Sequence, residues 1–199
     1  MAASAAFAQY KLEPAGAVPS QVPSAFQDVL AADGYKIVEG KDKIVGEYWL
    51  VKTAPTGRQT SDAAVDIPGV PLSSLLGILR LQSKGEDRRG QSLAPGIYTL
   101  RYSWNPVNGD HQGVALQRDF LVLTPLADDP DPAAKPAYDE LMKWSRKASG
   151  TPHPAILGLW RSRHENLPEL APEGDTDWVL HAKAGDLPLA IIVVGRSEH

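Results

Sequence analysis

After Gly34 the chain breaks into short runs in which apolar and polar residues alternate with the period of a β-strand. Ile44 to Val51 carries branched and aromatic residues on both faces, which predicts a strand buried on two sides. Leu75 to Leu81 predicts a second strand, and Lys84 to Gly90 a charged turn after it. The clearest alternation runs from Ile97 to Trp104. There Tyr98, Leu100, Tyr102 and Trp104 share one face, and Thr99, Arg101 and Ser103 share a wetter one. Arg118 to Thr124 returns as a strand, so residues 97 to 124 predict a hairpin with a long, turn-rich tip at Asn105 to Gly113. Ala155 to Trp160, Trp178 to Lys183 and Leu189 to Val194 are further strand candidates.

One stretch has helical period instead. From about Lys135 to Ser149, Ala137, Leu141, Trp144 and Ala148 line one side. Asp139 and Glu140 early, and Lys143, Arg146 and Lys147 late, complement the helix dipole, and Gly150 is placed as a C-terminal cap. Before it, Pro125 to Pro136 holds four prolines and three aspartates and breaks both periods. Residues 9 to 33, with Pro14, Pro19 and Pro23, read as an extended lead-in with a short turn around Phe26 to Leu30.

Several short strands and a single late helix predict a mostly-β protein, an antiparallel β-sandwich of the immunoglobulin-like type with one amphipathic α-helix. Residues 34–199 form the domain in this reading. The run Leu93-Ala94-Pro95-Gly96-Ile97-Tyr98 sharpens it, because such sandwiches open a strand with a tyrosine whose hydroxyl bonds back to upstream backbone.

Composition narrows the chemistry. A net charge of −4 and a pI near 5.7 provide no overall basic field for nucleic acid or anionic lipid. The absence of cysteine excludes disulfides, thiolate chemistry and cysteine-ligated metals. Ala6-Phe7-Ala8 before Gln9 matches the small-x-small pattern of a signal-peptidase site, so residues 1–8 read as the remnant of a signal peptide and the protein as periplasmic or secreted. No apolar run is long enough to span a membrane as a helix, which leaves peripheral association with a membrane complex as the only membrane role expected.

His111 is the leading candidate for chemistry. It sits on a polar turn beside Asp110, and imidazole with carboxylate suits copper, zinc or nickel. Such a site needs three or four ligands, so further histidines among His153, His164, His181 and His199 would have to converge on it. His153, fixed between Pro152 and Pro154, is the third candidate ligand, with a loop-ending structural role as the alternative. No Gly-x-Ser-x-Gly elbow, marked catalytic triad or phosphate-cradling glycine loop is present. Five tryptophans, Trp49, Trp104, Trp144, Trp160 and Trp178, offer sugar-stacking surfaces, but their strand and helix positions suit core packing better.

Pro95 to Tyr102, the tip Asn108-Gly109-Asp110-His111-Gln112-Gly113, Arg118 to Leu121 and Ser149 to Ala155 resemble an uncharacterised family of exported proteins from environmental bacteria such as acidobacteria and planctomycetes. More locally, Pro95 to Val122 is similar to the last hairpin of periplasmic copper carriers of the copper-resistance type. That resemblance implies copper(II) held by the tip aspartate and histidine. Here the order is Gly109-Asp110-His111, and cleavage after Ala8 leaves Gln9 first, where those carriers have a histidine. The sequence therefore leads to an exported, non-catalytic binding or assembly module that presents loops to a partner protein, surface polymer or small ligand and needs no cofactor. A copper(II)-type carrier using Asp110 and His111 is the alternative, and a hydrolase the third reading.

Overall fold

The computed structural model describes residues 9–57, 60, 64–104 and 118–197. Twelve strands and two helices follow in order. The first half holds β1 (Tyr10–Ala17), α1 (Ser24–Gln27), β2 (Asp33–Glu39), β3 (Lys43–Leu50), β4 (Leu75–Leu81), β5 (Gly85–Glu86), β6 (Ser92–Leu93) and β7 (Gly96–Trp104). The second half holds β8 (Asp119–Pro125), α2 (Tyr138–Ser149), β9 (Ile156–Arg161), β10 (Glu169–Glu173), β11 (Asp177–Ala184) and β12 (Leu187–Val194).

The mostly-β, antiparallel character expected from the alternation is present. Ten strands join one sheet in the order β1-β2-β3-β4-β7-β8-β9-β12-β11-β10, and β5 and β6 form a separate ribbon. This pairing does not divide into the two stacked sheets of an immunoglobulin-like sandwich. The single sheet instead curls until its edges β1 and β10 approach each other, nearly a barrel. Tyr10 and Trp178 meet across that seam with ring centroids 5.3 Å apart. Both edges carry a proline, Pro14 and Pro172, which cannot donate to a further strand.

Alternation sets the two faces. Leu100, Tyr102, Leu121, Leu123, Leu157, Leu159, Leu180 and Ile191 point into the main core. On the opposite face Phe120 and Val122 meet Leu141 and Met142 of α2, with Trp144 packed alongside. Gly150 ends α2 with φ at 65°, the left-handed cap the sequence predicts. The tyrosine corner also forms: Tyr98 OH donates to the Ala94 carbonyl at 2.7 Å.

The face of β7 expected to be wetter is buried. Residues 126–136 fold back over it as a strap, and Arg101, fully buried, spends all five N–H donors there. Nε and Nη2 grip the Asp129 carboxylate at 2.6 and 2.8 Å, Nη2 also donates to the Asp131 carbonyl, and Nη1 donates to the Ser73 and Ala134 carbonyls. Thr99 Oγ1 adds a third contact to the Asp129 carboxylate, donating at 2.6 Å.

Residues 10–17, read from sequence as an extended lead-in, become edge strand β1, and residues 156–194 complete the same sheet. Trp49 ties the first edge together. Its indole lies over Gly34 of β2 and donates to the Gly16 carbonyl of β1 at 2.9 Å. A Cβ at Gly34 would stand 2.5 Å from Trp49 Nε1. Gly34→Ala is therefore expected to cost about 1–3 kcal/mol through overpacking, read as a lowered urea midpoint with an unchanged slope. An unchanged midpoint would contradict that packing.

Candidate metal centre

β11 presents Leu180, Ala182 and Ala184 to the main core, so Val179 and His181 point to the other side. There Val179 packs with Ala190, Ile192 and Trp160 as a small outer apolar cluster. His181 sits beside these residues, opposite Glu169 of β10 and Ala190 of β12, and is 1% exposed. His181 is thus a buried imidazole beside apolar neighbours.

Two groups converge on it. His164, from the segment after β9, stacks on the His181 ring with centroids 3.7 Å apart and planes 12° from parallel. Glu173, from the end of β10, places Oε1 2.9 Å from His181 Nε2. One ligand atom from each of His164, Glu173 and His181 lies within 4.8 Å of the others, the spacing of donors around a single ion.

Neighbours select which nitrogens face the centre. Ser162 Oγ stands 2.9 Å from His181 Nδ1, and Glu169 Oε2 stands 2.8 Å from His164 Nδ1. Each contact occupies Nδ1 and leaves Nε2 for coordination. The carboxylate on His164 reproduces the carboxylate–histidine arrangement that orients metal ligands. His181 Nε2 faces the Glu173 carboxylate in an ion-pair contact and makes no other polar contact. Burial, reinforced by the neighbouring His164, holds the His181 pKa below its ordinary value, against an upward pull from Glu173. Its neutral, metal-binding form is thereby favoured. Lone pairs of parallel stacked rings do not meet at one point, so a shared ion calls for the outer, partly exposed His164 ring to tilt out of the stack.

The cluster opens into a cleft of about 420 Å³ that Asp66, Trp160 and Arg163 also line. Its far wall is anchored from the core. Asp119, 2% exposed, accepts the backbone N–H groups of Asp66 and Ile67 at 2.8 and 3.2 Å and the Tyr102 hydroxyl. Asp66 in turn accepts the Arg161 N–H at 2.6 Å. Burial raises the pKa of both Asp119 and Tyr102, and for Tyr102 the bond to Asp119 adds to the rise.

The other ligand candidates lie elsewhere. Asp110 and His111, with the leader pattern at Ala6 to Ala8 and with His199, fall outside the described residues. His153 is exposed after α2, where its carbonyl accepts from Ser149 Oγ at 2.6 Å and its N–H donates to Thr151 Oγ1, and it is not one of the three convergent groups. His164 and His181, two of the histidines that the His111 site would need as further ligands, come together with Glu173 instead. Among the tryptophans, Trp49 is fully buried core, whereas Trp160 is partly exposed on the cleft. No family model matches the chain, and neither a curated protein nor a solved structure shows detectable similarity to it.

Proposed function

We infer that the protein is an exported binding module whose ligand is a divalent transition-metal ion, held by His164, Glu173 and His181. The observation that carries this reading is the convergence of a buried histidine, a carboxylate 2.9 Å from its Nε2 and a second imidazole. Two nitrogens and one carboxylate oxygen suit zinc(II), nickel(II) and copper(II), with copper(II) held most tightly. Three protein ligands leave a position open toward the cleft, as in sites that exchange or deliver their ion. The Ala-x-Ala pattern at residues 6–8 supports export. The reading keeps the metal-carrier idea and places the ligands on β10, β11 and the segment after β9 in place of the Asp110–His111 tip.

Chelator-stripped protein titrated calorimetrically with zinc(II) or copper(II) is expected to bind one equivalent. His181→Ala should weaken binding at least about 100-fold, the upper end of what outer-sphere partners alone contribute. Glu173→Gln should also weaken it, and His111→Ala should leave it unchanged. Absence of binding, or loss of binding in His111→Ala alone, would overturn the assignment.

A further inference from the structure

A second concavity, distinct from the metal cleft, opens between the strap and the ends of β3 and β4. It encloses about 240 Å³, and its walls are largely apolar: Val29 after α1, Val51 after β3, Leu75 at the start of β4 and Pro132 of the strap. Two exposed lysines, Lys52 and Lys135, also line it, with Thr53, Pro55 and Ala133.

Their charges stand without acidic partners. Lys135 Nζ donates to the buried Ser74 Oγ at 2.8 Å, and an ammonium has two more donors to give. Among the described residues neither lysine forms an ion pair, and the Asp129 carboxylate of the strap is consumed by Arg101. Burial, with the neighbouring Arg101 cation, holds the Lys135 pKa below its ordinary value. A cation in that setting gains most from an anion that brings its own apolar body to fill the slot.

We propose that this slot is a binding site for a small carboxylate with an apolar tail. The tail packs against Val29, Val51, Leu75 and Pro132, and the carboxylate rests on Lys135 and Lys52. The site stands independently of the metal centre, which lies on other strands.

The test uses octanoate and its uncharged analogue octanamide, followed by methyl resonances of the full chain. Octanoate is expected to shift the Val29, Val51 and Leu75 methyls and to bind at least tenfold more tightly than octanamide. Lys135→Met should erase that preference, while Lys135→Arg, which keeps the charge, should retain most of it. A folded Lys135→Met protein is recognised by an unchanged methyl spectrum without ligand. Equal affinity for acid and amide, shifts confined to other regions, or no shift at millimolar octanoate would each overturn the proposal.

Discussion

Arg101→Met is expected to cost about 3–5 kcal/mol of folding stability, the loss typical of removing one partner from a buried ion pair. The size follows from what the guanidinium leaves behind. The Asp129 carboxylate, fully buried, would keep only the Thr99 hydroxyl, and the carbonyls of Ser73, Asp131 and Ala134 would lose their donor. Desolvated groups without partners carry the full penalty of burial. For a chain of this length the melting temperature should fall by roughly 6–20 °C. Arg101→Met combined with Asp129→Leu should recover part of the loss, because the stranded charge is then removed. A single substitution that costs less than about 1 kcal/mol would show that the strap is not clamped through Arg101.

An ion that binds only the folded chain stabilises it by mass action, about 2.7 kcal/mol when free metal stands at 100 times the dissociation constant. Zinc(II) at that excess should therefore raise the melting temperature by roughly 5–11 °C. In His181→Ala the same addition should produce no rise, since the buried ligand is gone while Glu173 and His164 remain near the surface. A metal-induced rise that survives His181→Ala would place the ion elsewhere on the chain.

The local signals in the sequence were strong, and the long-range ones were not. β4, the hairpin of β7 and β8, α2 with its glycine cap and the tyrosine corner all follow from period, capping and turn chemistry within a few residues. Alternation tells which residues of a strand are buried, but not which strands pair. That is why two stacked sheets were expected where a single curled one forms. The edges were hardest to see. β1 contains Pro14 and Gly16, and β10 is Glu-Leu-Ala-Pro-Glu, so each resembles loop until a neighbouring strand supplies its partners. The alternation of β7 assigns Arg101 to the wetter face, because nothing in it reveals a strap some thirty residues later in the chain.

The site was legible only in part. His111 stands out because an aspartate adjoins it, whereas His164, Glu173 and His181 are apart in sequence and meet only in the fold. The available signal is His181 itself, an imidazole two residues after Val179 on a mostly apolar strand. Nothing near it in the sequence points to Glu173 or His164, which reach it only through the fold of β10 and the segment after β9.

X-ray absorption at the metal edge of the zinc-loaded protein tests the central claim most directly. The account predicts a first shell of nitrogen and oxygen at about 2.0–2.1 Å with outer-shell scattering from two imidazoles, reduced to one in His164→Ala. A shell of oxygens without imidazole scattering, or a spectrum that His164→Ala and His181→Ala leave unaltered, would contradict it.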